Sequence, residues 1–119
     1  MSGMGTVGGS MNVLSGTLEL LVLQTLGNGA QLHGFEVLDA IRNATGEALV
    51  IEEGALYPAL HRMERKGWLS SEWAVSERGR RAKYYRLTAR GRAALTKQHA
   101  EWERYVWAMA RVADHARGA

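Results

Sequence analysis

The order in which the hydrophobic period changes along the chain is the strongest constraint on its fold. Apolar residues first recur at helical spacing in three successive segments, each of which is followed by glycine. These segments cover about residues 18–26, 33–45 and 53–66. Pro58, the only proline, lies near the first turn of the third segment, where a missing N–H costs least. This part of the chain therefore predicts three short helices.

The period then drops to two residues, which is typical of β-strands. The segment 69–75 alternates in this way, and a run rich in tyrosine at residues 82–87 follows a turn at residues 76–80. A final helical pattern begins after Thr88, a residue suited to capping a helix, and continues to about Ala113. We therefore predict a mainly α-helical fold with a small β-hairpin wing: a winged helix-turn-helix followed by a long C-terminal dimerisation helix.

These patterns divide the chain into three parts. Residues 1–13 are rich in glycine and carry no periodic apolar pattern, so we predict a flexible leader. Residues 14–88 are predicted to form the winged helix-turn-helix domain, with a short apolar strand at residues 49–51. Residues 89–119 are predicted to form the dimerisation helix and its tail, because a small domain cannot cover so much apolar helix surface alone.

The last helix carries a seam of residues spaced alternately four and three apart, the spacing of a short coiled coil. We predict that this seam meets the same seam of a second chain in a homodimer. The predicted dimer-interface residues are Leu95, His99, Trp102, Val106, Met109 and Ala113.

Positive charge is concentrated in one third of the chain. The formal net charge is +3, yet residues 53–92 alone carry a net charge of +6, whereas residues 1–52 are net acidic. Such a basic block indicates a polyanionic partner, and the winged-helix order indicates that this partner is double-stranded DNA. The predicted DNA-binding residues on the third helix and the hairpin are Tyr57, Pro58, His61, Arg62, Arg65, Lys66, Arg78, Gly79, Arg80, Arg81 and Lys83.

Composition and motifs argue against several other classes of protein. The chain has no cysteine, which excludes disulfides, thiolate zinc sites and thiol catalysis. Its four histidines form no metal-ligand pattern, and no phosphate-binding loop or nucleophile motif occurs, so we expect no enzyme activity, metal or cofactor. No apolar run is long enough to cross a bilayer and no secretory signal is visible, so we expect a cytoplasmic protein.

Two motifs, in this order, resemble the PadR family of bacterial transcriptional regulators. They are LYPALHRMERKGWL at residues 56–69 and RRAKYYRLTARGR at residues 80–92, and the segment His33–Glu36 fits the same pattern. The resemblance implies a dimeric winged-helix protein, usually a repressor, with a single C-terminal dimerisation helix. Some relatives bind planar aromatic drugs between tryptophans at the dimer interface, and Trp102 stands at the corresponding position.

We therefore expect a homodimeric transcriptional regulator, a repressor, that binds a pseudo-palindromic DNA operator. Trp102 is the candidate residue for a planar aromatic effector, and the alternative is that two Trp102 side chains pack on each other across the dimer and leave no cavity. Two alternatives stay open on sequence alone: a winged-helix module for protein–protein interaction, and a small-molecule-binding dimer without operator function. The basic block favours DNA, because neither alternative needs a basic wing.

Overall fold

The computed structural model describes residues 11–12 and 16–118. The three helices, the hairpin and the long last helix expected from the sequence are all present, with ends that differ by only a few residues, and the predicted fold class is confirmed. In chain order the elements are β1 (Met11–Asn12), α1 (Leu18–Thr25), β2 (Leu32–His33), α2 (Gly34–Ala44), β3 (Leu49–Val50), α3 (Glu53–Arg65), β4 (Leu69–Val75), β5 (Arg81–Leu87) and α4 (Ala89–Ala116).

Local hydrogen bonds explain where α2 begins and ends. His33 is its N-cap: the His33 Nδ1 accepts the Glu36 N–H at 3.3 Å, and the Glu36 carboxylate accepts the His33 N–H at 3.1 Å. This reciprocal pair satisfies N–H groups that the first turn of a helix leaves without partners. Gly46, with a φ of 58°, follows the helix in the left-handed conformation that commonly ends helices.

Two residues of the predicted leader, Met11 and Asn12, form the short strand β1. Strand β1 pairs in parallel with β3, with Met11 opposite Leu49 and Asn12 opposite Val50. The apolar strand β3 offers an unpaired edge, and this pairing satisfies backbone groups along it. Residues 1–10 and 13–15 lie outside the described residues.

The hairpin belongs to a three-stranded antiparallel sheet with the order β2-β5-β4. Strands β4 and β5 pair from Leu69 opposite Leu87 to Val75 opposite Arg81. Strand β2 has only two residues, too few for a sequence pattern to reveal it, and it pairs with the other edge of β5. Strand β4 is therefore an edge strand that runs outward to the turn at residues 76–80, and this turn with the outer parts of β4 and β5 forms the wing.

The core lies between α1, α2, α3 and the inner end of the hairpin. Leu23, Leu56 and Leu60 are completely buried, and Tyr85 brings β5 against them. Burying side chains of this size stabilises the fold by about 1.5–3 kcal/mol each. Only the inner end of the hairpin takes part, because the last four residues of β4 are exposed.

Helix α4 is fixed to the core at its first turn. The Thr88 hydroxyl donates to the Gly67 carbonyl at 2.6 Å and accepts the Gly91 N–H at 3.0 Å, so one side chain caps the helix and ties it to the turn after α3. Gly91 lies directly against the Trp68 carbonyl, which a Cβ at this position would overlap. Leu95, one turn later, is half-buried against the core.

The second half of α4 extends away from the core. The helix has 28 residues, about 42 Å, and every residue after Trp102 that the structure describes is exposed. Neither α4 nor any other helix among residues 16–118 combines the length and the apolar character that crossing a membrane requires.

Candidate nucleic-acid interface

The outward face of α3 carries two side chains without an ionic partner. Leu56, Leu60 and Met63 bury the inner face of this helix. His61 and Arg65 are exposed, on the side where the sequence pattern predicts them. Among the residues that the structure describes, neither side chain forms an ion pair or a hydrogen bond. Both are therefore free to contact a ligand.

Tyr57 packs α3 against α2 as well as facing outward. Its ring lies 2.7 Å from the position that a Cβ on Gly34 would occupy, so the missing side chain permits this close approach. Burial raises the pKa of the Tyr57 hydroxyl, and the Glu53 carboxylate raises it further, so the hydroxyl stays protonated and can donate a hydrogen bond. The side chain is still 40% exposed, and Pro58 beside it is exposed too.

Arg62 and Lys66, on the flank of α3, are bound by a single carboxylate of α1. The Arg62 Nε lies 3.2 Å from the Glu19 Oε2, and the Lys66 Nζ lies 2.8 Å from the Glu19 Oε1. Burial by itself raises the pKa of Glu19, but the hydrogen bonds and charges of Lys66 and Arg62 outweigh it, so the pKa is lowered overall. Two of the predicted DNA-binding cations are thus paired with one internal carboxylate.

The tip of the wing presents its arginines to solvent. Arg78 and Arg80 are exposed and have no ionic partner among the described residues, and Gly79 between them turns the chain with a φ of 78°. Arg81 is also exposed, and its guanidinium lies 4.8 Å from the centre of the Trp73 ring. Guanidinium groups in this state are available to bridge phosphate oxygens.

Lys83, predicted to contact DNA, instead joins the wing to α3. Its Nζ lies 3.4 Å from the Glu64 Oε1, while the Ser71 hydroxyl donates to the other oxygen of the same carboxylate. The Ser71 hydrogen bond lowers the pKa of Glu64, burial opposes it, and the Lys83 charge lowers the pKa further. Lys83 is therefore the third predicted DNA-binding cation that pairs with an internal carboxylate.

A groove of about 830 Å³ separates α3 from the wing and reaches the start of α2. His61 lines it from α3, and Arg78, Arg80 and Arg81 line it from the wing. The acidic residues along the same groove are Glu36, Asp39 and Glu77. The fold thus brings the arginines of the wing opposite His61 of α3 on one surface, which we call the helix–wing groove, and the wing side of this surface suits a phosphate backbone.

The sequence patterns did not identify Trp73 and Val75 as surface residues of this groove region. Both lie on the same face of β4 as the buried Leu69, yet Trp73 is 57% exposed and Val75 is 67% exposed. The hairpin extends beyond the core, so this face emerges into solvent. The cross-strand partners, Lys83 and Arg81, are charged, and this is the signal that could have revealed the exposure.

The residues of the predicted dimer seam on α4 fall into an inner group close to the core of their own chain and an outer group exposed to solvent. Leu95 packs on the core of its own chain, and the His99 Nδ1 lies 3.1 Å from the Gln24 Nε2 of α1. Trp102 is half-buried. The remaining seam residues are exposed, and they are Val106, Met109 and Ala113. His99 is exposed as well, so within the described part of the chain the seam is uncovered at His99 and from Val106 onward.

Trp102 lines an open groove of about 580 Å³ between α1 and α4. Its ring centre lies 6.1 Å from that of Tyr105, so the two aromatic side chains form one wall. Glu19 and Arg62 line the same groove. The predicted effector residue therefore sits at a surface that combines aromatic faces with a charged edge.

Comparison with known proteins identifies a family whose model spans α3, the wing and the start of α4. The family model described as the transcriptional regulator PadR-like family matches residues 22–97, a span that includes α3, the wing and the first turns of α4. The chain belongs to this PadR-like family. The resemblance carried by the motifs at residues 56–69 and 80–92 is thereby confirmed.

Solved structures of transcriptional regulators share the fold of this PadR-like protein. One from Clostridium thermocellum is 30% identical with a TM-score of 0.72, and the match covers 81% of this chain and 92% of that one. A PadR family transcription regulator from Clostridium difficile is 29% identical with a TM-score of 0.70, and the match covers 82% of this chain and 98% of that one.

A relative matched by sequence is also a transcriptional regulator. Transcriptional regulator Rv3488 of Mycobacterium tuberculosis is 52% identical over 46 residues, 39% of this chain and 42% of that protein. The chain is thus a PadR family transcriptional regulator with a DNA-binding winged-helix fold.

Proposed function

We propose that this PadR-like regulator is a homodimer that binds a pseudo-palindromic operator and represses transcription from it. The observation that carries the proposal is the helix–wing groove, along which His61 of α3 faces the unpaired Arg78 and Arg80 of the wing. An exposed helix face beside a hairpin that carries unpaired arginines suits a duplex, whose major groove admits a helix while phosphates flank it.

In this proposal α3 reads the base sequence and the wing fixes the register. Arg65 is free to form two parallel hydrogen bonds with guanine, and the exposed ring of His61 lies one turn before it. The protonated Tyr57 hydroxyl can donate to a phosphate. Arg78 and Arg80 contact flanking phosphates, which adds affinity without sequence preference.

Two copies are joined through α4. Val106 and Met109 leave apolar surface in water along the outer seam, and a second copy of the same seam would remove it from water. In a two-fold dimer the two α3 helices enter successive major grooves about one helical turn apart, so α4 sets the spacing of the half-sites. A dimer bound across a promoter obstructs it, which is why we propose repression.

We also propose that a planar aromatic effector binds in the groove beside Trp102. The supporting observation is the aromatic wall formed by Trp102 and Tyr105. A ligand stacked there would contact the helix that joins the subunits and lie close to Arg62 of α3, so it could bias the angle between the two DNA-binding heads. Quenching of fluorescence by planar cationic dyes should disappear in Trp102→Ala and persist in Trp107→Ala; equal quenching in both contradicts this site.

The proposal assigns the protein a binding role in the cytoplasm and no catalytic activity. The two rival functions differ from it at the wing. A protein–protein module has no need of the unpaired Arg78 and Arg80, and a small-molecule-binding dimer without operator function has no need of the exposed Arg65.

Selection of bound sequences from a random DNA pool tests the proposal. We expect enrichment of an inverted repeat whose half-site centres lie about 10 base pairs, or a multiple of that, apart. An enriched site without inverted symmetry contradicts the two-fold dimer. Absence of any enrichment contradicts operator binding. Arg65→Ala supplies the control, because it should relax selection at one base position in each half-site.

A further inference from the structure

Trp73 is a large apolar side chain that the wing leaves in water. It is 57% exposed, whereas Leu69 on the same face of β4 is only 3% exposed. Val75, the next residue on that face, is 67% exposed. Single exposed apolar residues need no explanation, but these two are neighbours and form a continuous apolar strip on an edge strand.

Positive charge borders this strip. The Arg81 guanidinium lies 4.8 Å from the centre of the Trp73 ring, and Arg81 is also the cross-strand partner of Val75. Trp73 lines the helix–wing groove together with Arg78 and Arg80. A sugar–phosphate strand has the complementary pattern, because each deoxyribose offers a carbon-rich face between two anionic phosphates.

We propose that Trp73 packs its indole against a deoxyribose of the DNA strand that runs through the helix–wing groove. Arg81, stacked on the same indole, then meets a neighbouring phosphate. The inference rests on the proposed DNA-binding function and adds to it a contact that involves no charge.

The same strip does not suit a second copy of this chain. Pairing two wings along their β4 edges would bring the arginines of both tips together, and Arg78, Arg80 and Arg81 have no carboxylate partners that would offset the repulsion. DNA supplies the anions that this pairing lacks. The stacked geometry also restricts the Arg81 guanidinium before binding, which lowers the entropy lost when it meets a phosphate.

A sugar contact and a phosphate contact differ in their response to salt. Phosphate contacts release counterions and therefore set the slope of log K against log salt, whereas packing on a sugar releases none. Trp73→Ala should lower the affinity about tenfold at every salt concentration and leave the slope unchanged. Trp73→Phe retains an aromatic ring and should retain most of the affinity.

The experiment measures binding of the intact protein to a selected operator duplex and to a random-sequence duplex across a salt series. Trp107→Ala is the matched control: Trp107 is an exposed tryptophan of α4 with a guanidinium, that of Arg111, 5.7 Å from its ring centre. We expect the loss only in Trp73→Ala, and on both duplexes, because sugars carry no base sequence. The change in tryptophan emission on adding DNA should be absent in Trp73→Phe and retained in Trp107→Phe.

Three results would overturn the inference alone. If Trp73→Ala binds a duplex as tightly as the wild-type protein does, Trp73 makes no sugar contact, and the proposed function stands. A salt slope reduced by about one unit per protomer would mean that the indole acts only through Arg81. An equal loss in Trp107→Ala would mean that the effect is not specific to the wing. A wild-type protein that binds neither duplex would instead overturn the proposed function, and the inference with it.

Discussion

Arg78 and Arg80 at the tip of the wing differ from Arg62 and Lys66 on the flank of α3, although all four belong to one basic block of the sequence. The flank cations share the carboxylate of Glu19 at 3.2 and 2.8 Å. The tip arginines have no carboxylate partner among the described residues. The flank cations therefore join α3 to α1, whereas the tip arginines form no such internal contact among the described residues.

The same division extends to other bases of the block. Lys83 is bound to Glu64, and Arg86 and Arg92 line a small cleft beside Leu26 and Gly29, away from the helix–wing groove. The net charge of +6 over residues 53–92 thus overstates the positive charge that the groove presents. On α3 and the wing, four exposed arginines have no carboxylate partner among residues 11–12 and 16–118: Arg65, Arg78, Arg80 and Arg81.

Removing both tip arginines should have the largest effect on DNA binding. The double variant Arg78→Ala/Arg80→Ala loses two phosphate-directed guanidinium groups in each protomer, so affinity for random DNA should fall about a hundredfold. The salt slope should become shallower by about two units per protomer. Filter binding or fluorescence anisotropy across a salt series measures both the affinity and the slope. An unchanged slope would contradict the assignment of phosphate contacts to the tip arginines.

Arg65→Ala should have the next largest effect, on sequence preference. If Arg65 bonds a guanine, its loss costs about 1–3 kcal/mol at one operator position and weakens random DNA much less. Competition between operator duplexes that differ at single positions measures this. Equal weakening of operator and random DNA would assign Arg65 to a phosphate, with the tip arginines.

Glu19→Gln should tighten binding, because it releases the flank cations. With Arg62 and Lys66 freed, affinity for random DNA should rise about fivefold and the slope should steepen by up to about two units per protomer. Glu101→Gln is the matched control, since it removes the same charge from the same groove and Glu101 forms no ion pair among the described residues. If the affinity for DNA rises equally in both variants, the effect comes from the change in net charge and not from release of Arg62 and Lys66.

The smallest expected effect is on stability in acid. The pKa values of Glu19 and Glu64 are lowered in the folded chain, so their contribution is present above the pKa of the unfolded carboxyl and is lost as the pH falls through the folded value. Each contributes less than about 1 kcal/mol, as expected for partly exposed pairs. The free energy of unfolding of Glu19→Gln should therefore change less than that of the wild type between about pH 5 and pH 3. If the free energy of unfolding of the wild type falls no more steeply with pH than that of Glu19→Gln, the ion pairs of Glu19 do not stabilise the fold.

The helices, the hairpin and the basic block could be predicted because each is encoded in neighbouring residues. Helical and strand periods depend on spacings of a few residues, and caps such as Thr88 act within one turn. The exposed positions of His61 and Arg65 follow from the same helical geometry. Family membership follows from motifs that lie within these elements.

The remaining features depend on contacts between distant parts of the chain. Glu19 and Lys66 are 47 residues apart, so no local pattern shows that the carboxylate binds the lysine. The exposure of Trp73 depends on where the core ends along the hairpin. The alternating pattern of a strand gives no information about that position. Leu95 follows the seam pattern, yet it packs against its own core, because the first turns of α4 are fixed there by Thr88 and Gly91.

The salt dependence of operator binding by the wild-type dimer tests the division between tip and flank most directly. If Arg78, Arg80 and Arg81 of each protomer carry the phosphate contacts, the proposed dimer neutralises about six phosphates and log K falls with log salt at a slope of about −5. If all ten bases of the block in each protomer reached phosphates, the slope would be about −18. A slope near −5 supports the account; a slope near zero, or one steeper than about −12, contradicts it.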